Sequence, residues 1–221
     1  AIAHQHGATF HTDAIQTAGK HPINVSTLGV DLLSISGHKF NGPKGVGALW
    51  IRRGTRLVST ITGGGQEKNR RAGTENVPAI VGLGVAARLA KKTVEHQSNT
   101  VGKLRDKLES GILSDVPNTF INGPNKRVPN TTNISFTGVE AESLLIALDL
   151  AGIAVSTGSA CSSGTLQASH VLKAMGLSTH RAQNSIRFSL GLNNTDSDIT
   201  RTIRELPTLV HKLRALSNSG S

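Results

Sequence analysis

Two stretches of this chain carry residues whose types and spacing could do chemistry. The first is Ser34-Ile35-Ser36-Gly37-His38-Lys39-Phe40-Asn41-Gly42-Pro43-Lys44-Gly45. An apolar run, Val30 to Ile35, leads into it and reads as a buried strand. Gly42-Pro43 and Gly45 then exclude a helix. Lys39 therefore sits just past a strand end, flanked by hydroxyl and imidazole groups, a placement suited to covalent capture of an aldehyde. The plainer alternative is a surface turn with an incidental lysine, since lysine is mostly exposed. The second stretch is Ser156-Thr157-Gly158-Ser159-Ala160-Cys161-Ser162-Ser163-Gly164-Thr165. A structural cysteine normally has large apolar neighbours, whereas Cys161 has small polar ones. Such a loop exposes its thiol, and an exposed thiol is a liability unless it reacts. A passive loop cysteine is the competing reading.

Two further positions belong with these. Asp13 closes an expected strand, Ala8 to Asp13, with Gln16 in the turn that follows. An aspartate at a strand end is commonly a cap or turn former. It can also hold a proton on a heteroaromatic nitrogen, and a lysine Schiff base with such a partner is the protein's half of pyridoxal phosphate chemistry. Arg187 stands alone in an apolar strand, Ile186-Arg187-Phe188-Ser189-Leu190. Burying it unpaired is costly. Its partner is either a structural carboxylate or the carboxylate of a ligand gripped in bidentate fashion.

The elements that must position these groups read as α/β. Strands are expected at Ala8 to Asp13, Val30 to Ser36 and Gly45 to Ile51, forming a mainly parallel sheet, with the short link between the last two leaving an antiparallel pair open as the alternative there. Pro78 suits a helix start. Helices are expected from Pro78 to about Gln97 and from Thr100 to Leu113, with Ser98-Asn99 between them as the domain boundary. That divides the chain into 1–97 and 98–221. Further on, strands are expected at Thr131 to Phe136, Ile153 to Val155 and Ser185 to Leu190. Helices are expected at Glu140 to Ala151, Ala168 to Met175 and Thr195 to Leu216, the last with Pro207 as a kink.

Composition narrows the function. The 221 residues suffice for one large or two small domains. The net charge is +10, but the basic residues are scattered, and no Tyr and only five Phe are available for base stacking. A phosphorylated or carboxylated small ligand suits that charge better than nucleic acid. The longest apolar run, Pro78 to Ala87, is too short to span a bilayer. A single cysteine excludes an internal disulfide and a cysteine-built zinc site, and suits a reducing, cytoplasmic compartment. His4, His6 and His11 are close in sequence but are not expected to bind metal. Residue 1 is Ala and the first residues read as the middle of an element, so an N-terminal part of a longer protein is expected to be absent.

Taken together the motifs become specific. His11-Thr12-Asp13-Ala14-Ile15-Gln16, Ser36-Gly37-His38-Lys39, Gly42-Pro43-Lys44-Gly45, Arg71-Ala72-Gly73-Thr74-Glu75-Asn76, Ser159-Ala160-Cys161-Ser162 and Arg187-Phe188-Ser189-Leu190-Gly191 follow in this order. The chain resembles the cysteine desulfurases of the NifS/IscS type, in the class-V aminotransferase family of aspartate-aminotransferase-like pyridoxal 5'-phosphate enzymes. The resemblance implies the fold of a PLP-dependent transferase, with the C-terminal half of the cofactor-binding large domain followed by a small α/β domain. It implies that Lys39 forms the Schiff base with the cofactor and handles the proton at Cα. Asp13 would pair with the pyridine nitrogen and Gln16 with the phenolic oxygen, while Ser36 and His38 hold the phosphate. Thr74 would reach the phosphate of a second subunit, implying a homodimer. Arg187 would hold the carboxylate of L-cysteine. Cys161 would take the sulfur as a persulfide and pass it to an iron–sulfur scaffold or another acceptor, with a transient iron–sulfur contact as its only metal chemistry. Lys44 has no Schiff-base role in the motif.

The resemblance also implies a missing segment. The phosphate-cradling loop, the aromatic group stacked on the ring and an asparagine near the phenolic oxygen belong upstream of Ala1, and no stretch here supplies them. Two other readings stand beside this one. Lys39, Asp13 and Arg187 would serve another PLP-dependent lyase or aminotransferase equally well. A catalytically inactive fragment acting as a basic binding module is the third.

Overall fold

The computed structural model describes residues 1–157 and 168–219, and the chain forms two compact units, Ala1–His96 and Gln97–Ser221. The first contains α1 (Ile2–Gln5), β1 (His11–Asp13), α2 (Val25–Leu28), β2 (Leu32–Ser36), a 3-10 turn (Gly37–Phe40), β3 (Gly47–Ile51), α3 (Gln66–Asn69) and the beginning of α4 (Val77–Asp115). β1 runs parallel to β2, with Asp13 opposite Ser34. β3 runs antiparallel to β2, with Gly47 opposite Ser36. The short link between β2 and β3 permits no crossover, which is why that pair is antiparallel. Ala14, Val30 and Leu33 form one small core under the sheet, and Ala18, Phe40, Leu83 and Ala86 form another against α4.

Polar side chains organise the ends of this unit. Asn24 Oδ1 accepts from the backbone N–H groups of Ser26 and Thr27, capping α2, and Gly29 ends that helix at φ 64°. Asp31 gathers three separate segments. Its Oδ2 accepts the Phe10 N–H at 2.8 Å and lies 2.7 Å from His4 Nε2, while Arg52 Nε is 3.2 Å from Oδ1.

α4 departs from expectation. It is one continuous helix through Ser98-Asn99, where a break was anticipated. Serine and asparagine each lower helix propensity by well under about 1 kcal/mol, and no proline interrupts the chain there. Val101, Leu108 and Ile112 then supply a buried face that helps hold the helix together.

The second unit contains the rest of α4, β4 (Thr119–Ile121), β5 (Thr131–Phe136), α5 (Ala141–Leu150), α6 (His170–Ala174), α7 (Thr179–Gln183), β6 (Ser185–Ser189) and α8 (Asp196–Ser219). Its sheet has the order β4-β5-β6 and is antiparallel throughout. Period-two alternation gives the sheet two unlike faces. Ile134, Phe136 and Ile186 are fully buried against an apolar cluster that includes Leu144, Leu148 and Leu206. Asn133, Ser135, Ser185 and Arg187 lie on the opposite face. The strand expected at Ile153 to Val155 does not form, because only Ser156 bridges to β6. β4 and α7 were not anticipated. Both are very short, and α7 rests on its cap, Ser178 Oγ, which accepts the Arg181 N–H at 3.2 Å.

No helix among the described residues is long and apolar enough to cross a membrane.

Asp31 generates a pH prediction. The Phe10 N–H, then the His4 hydrogen bond, hold its carboxyl below the ordinary value. A carboxyl lowered in the folded state stabilises the protein above its unfolded value, and that contribution disappears as pH falls through the folded value. Asp31→Asn should therefore lower the melting temperature at neutral pH and match the wild type in strong acid. A gap between the two that stays constant across pH would contradict this account.

Candidate active site

Asp13 and Ser36 stand at the carboxyl ends of the parallel strands β1 and β2, the end of an α/β sheet at which ligands bind. Asp13 and Ser36 are thus brought to one sheet end, with His38 and Lys39 in the turn directly after Ser36. Asp13 Oδ1 accepts the Ile15 N–H at 2.8 Å and so turns the chain as it leaves β1. His11 Nε2 lies 2.7 Å from Ser34 Oγ, a cross-strand bond that ties β1 to β2 just below Asp13. Sequence reasoning missed that pair, because nothing in the local pattern reveals parallel register. Gln16 is exposed and its Oε1 accepts from Lys20 Nζ at 3.2 Å. Ser36 Oγ and His38 Nδ1 are 2.8 Å apart, so hydroxyl and imidazole act as one polar cluster.

Lys39 is half-buried in the 3-10 turn that follows β2. The turn is held on every side. The Gly37 N–H donates to Val46 O at 2.9 Å, and the Gly42 N–H donates to Gly37 O at 2.8 Å. Asn41 adopts the left-handed conformation at φ 66° to complete the reversal. Phe40, next to Lys39, is buried with Ala18, Leu83 and Ala86. Gly42 permits this closure by having no side chain, since a Cβ there would lie 2.9 Å from Gly37 O. At Gly47 a Cβ would lie 2.6 Å from Ile35 O. The lysine is thus carried by backbone with little freedom, while its amine stands on a flexible stem.

Thr74 is exposed, in a segment braced on both sides. The Gly73 N–H donates to Gln66 Oε1 at 3.1 Å, and Arg71 Nη1 donates to Gly73 O at 2.8 Å. Asn76 Oδ1 then accepts the Ala79 N–H at 3.2 Å, capping α4.

In the second unit Arg187 projects from the polar face of β6. Its Nε is buried and has no hydrogen-bond partner among the described residues. A buried cationic donor left open in this way fits an anionic ligand. The backbone of Arg187 pairs with Ser156 in both directions, at 2.6 and 3.1 Å. Ser156 opens the cysteine stretch, so the chain enters it beside Arg187. Cys161 itself lies outside the described residues. The Arg181, Asn122, Ser135 and Ser185 cluster on the same face was also missed. Its signal was present in Asn133-Ile134-Ser135-Phe136, where polar and apolar residues alternate.

The histidines near the start are accounted for by their neighbours, His4 by Asp31 and His11 by Ser34. Among the described residues no cluster of His, Cys, Asp and Glu could hold a metal ion.

The chain belongs to the class-V aminotransferase family, which it matches over residues 1–202, and it has the aspartate-aminotransferase-like fold of PLP-dependent transferases. It is 50% identical over 218 residues to a cysteine desulfurase of Gluconacetobacter diazotrophicus, covering 98% of this chain and 54% of that protein. It is 49% identical over 217 residues to the cysteine desulfurase NifS of Azotobacter vinelandii, with the same coverage. The solved structure of a NifS-like protein from Rickettsia africae superposes with a TM-score of 0.84 at 38% identity, covering 95% of this chain and 56% of that one. The chain spans about half the length of the curated relatives it matches.

The Lys39 turn supplies the second prediction. Gly42→Val places branched carbon against Gly37 O and Ala86, and overpacking of this kind costs about 1–3 kcal/mol. A lower melting temperature is expected, with reduced reactivity of Lys39 towards aldehydes. Unchanged values for both would show that the turn tolerates expansion.

Proposed function

We propose that this chain carries the lysine and cysteine of a pyridoxal phosphate-dependent cysteine desulfurase. The observation that carries the reading is 50% identity, across 98% of the chain, to a protein of that activity. Lys39, Asp13 and the open Arg187 add the chemistry such an enzyme needs. Residues 1–97 then belong to the cofactor-binding large domain and residues 98–221 to the small domain with the cysteine loop.

The residues present fit the cofactor. Lys39 supplies the amine for its aldehyde, Asp13 a carboxylate for its ring nitrogen, Gln16 a hydrogen bond for its phenolic oxygen, and Ser36 with His38 a polar pair for its phosphate. When bound, pyridoxal phosphate supplies a sink for the electron pair left at Cα of the substrate. Lys39 takes the proton from Cα and returns it. Arg187 pairs with the substrate carboxylate and so fixes the direction in which the side chain points. Cys161 attacks as the thiolate. An S–S bond forms to the sulfur of L-cysteine as its C–S bond breaks, and proton return at carbon gives L-alanine. The net change is one L-cysteine and one thiol converted into one L-alanine and one persulfide. That persulfide passes to an acceptor by thiol exchange, an iron–sulfur scaffold being the proposed partner. The proposed setting is a cytoplasmic homodimer, with Thr74 reaching the phosphate of the second subunit.

A related lyase or aminotransferase is the second reading, because Lys39, Asp13 and Arg187 do not distinguish the two. Cys161 does.

Borohydride reduction after incubation with pyridoxal phosphate, followed by peptide mapping, should place one adduct on Lys39 and none on Lys44. Labelling spread over surface lysines would remove Lys39 from this role. In the intact protein, Cys161→Ser should keep the Lys39 adduct and lose persulfide formation from L-cysteine. Persistence of the persulfide in that variant would exclude Cys161 as the acceptor and favour the second reading.

A further inference from the structure

Four polar residues form a row across the second unit's sheet. Asn122 continues the β4 register and donates its backbone N–H to Asn133 O at 2.8 Å. Asn133 is directly opposite Arg187 in the β5–β6 register, and Arg187 is directly opposite Ser156. Residues opposite one another in antiparallel strands point to the same face. Asn122, Asn133, Arg187 and Ser156 therefore share the polar side of the sheet.

The backbone pattern sets how close the middle pair comes. Arg187 uses its N–H and C=O towards Ser156, and Asn133 uses its C=O towards Asn122. Asn133 and Arg187 are thus a non-hydrogen-bonded pair, the kind whose Cα atoms approach to about 4.5 Å. Asn133 is the immediate cross-strand neighbour of Arg187, and its amide carbonyl is an acceptor that a guanidinium would ordinarily take.

That carbonyl already accepts one donor, which leaves it a weaker competitor for the guanidinium. Asn122 Nδ2 lies 2.7 Å from Asn133 Oδ1. The Asn122 carbonyl is occupied in turn, accepting from Arg181 Nε at 3.0 Å and from Ser135 Oγ at 3.1 Å. Ser185 Oγ completes the cluster, 3.1 Å from Asn122 Nδ2 and donating to Arg181 O at 2.7 Å. A second arginine thus satisfies the far end of the network, and each amide carbonyl in the row has a donor other than Arg187. Among the described residues, Arg187 Nε is left buried and without a partner.

Resting on the desulfurase reading above, we propose that Asn133, held by Asn122, is a positioning residue that keeps Arg187 available for the substrate carboxylate. The amides line the strand beside Arg187 with polar groups but no negative charge. A carboxylate at position 133 would pair with Arg187 and compete with the substrate.

The test compares Asn133→Asp with Asn133→Leu in the intact protein, using KM and kcat for L-cysteine. Asn133→Asp should raise KM at least roughly tenfold more than Asn133→Leu does, with kcat changed less than KM. Equal increases in the two variants would show that Asn133 acts only through packing and would overturn the proposal. Asn122→Ser withdraws the donor from Asn133 Oδ1, so it should also raise KM, and it replaces Asn133→Asp if that variant does not fold. An unchanged KM in Asn122→Ser would overturn the proposal too. Should the wild type be inert on L-cysteine, the functional reading fails instead. Calorimetric binding of L-alanine against L-alaninol then reads the carboxylate grip without turnover. Preference for L-alanine must be present in the wild type and lost in Asn133→Asp, and any other pattern overturns the proposal.

Discussion

The first unit depends on a backbone that closes upon itself just after β2. Gly37 donates to Val46 and accepts from Gly42, so a ten-residue excursion begins and ends at one glycine. The closure works because backbone meets backbone where a side chain would stand. The placement of Lys39 follows from it. The residue before Lys39 is tied to Ser36, the residue after it is in the core, and the lysine between them is fixed at its Cα while its amine can move. A catalytic amine that binds an aldehyde and then moves a proton needs that combination of a fixed base and a free end.

The second unit solves a different problem, that of keeping an arginine half-buried without neutralising it. Its sheet has one largely apolar face, which stabilises the unit, and one polar face, from which Arg187 projects. Among the described residues, the neighbours of Arg187 on the polar face are amides and hydroxyls, not carboxylates. Glu109 and Arg127 form a buried ion pair elsewhere in the unit, where charge neutralisation serves structure. Beside Arg187 no such ion pair forms among the described residues, and its buried Nε has no partner there.

Much of this was legible in the residue order. Strands with alternating or continuous apolar runs, such as Thr131 to Phe136 and Leu32 to Ser36, announce themselves within a few residues. The helix break did not occur because Ser98-Asn99 is a weak local signal, whereas the apolar face of α4 extends well beyond it. β4 and α7 escaped notice because three to five residues carry too little pattern; β4 is held by pairing with β5 and α7 by its Ser178 cap. The strand expected before the cysteine loop reduced to one bridge at Ser156, because its apolar residues pack into the core without a ladder to join.

The sequence by itself determined the identities and order of the reactive groups: a lysine after a strand, an aspartate at a strand end, a cysteine among small residues and a lone arginine between apolar ones. Those are local facts of side-chain type and spacing, and local physics suffices to read them. Only the tertiary structure decided which groups are neighbours. Parallel register put Asp13 beside Ser34, and antiparallel register put Asn133 beside Arg187. Register is a long-range choice made by burying one face of a sheet, and a shift of one residue would turn every polar side chain into the core. That choice is what places Arg187 on the polar side of the sheet and not in the core.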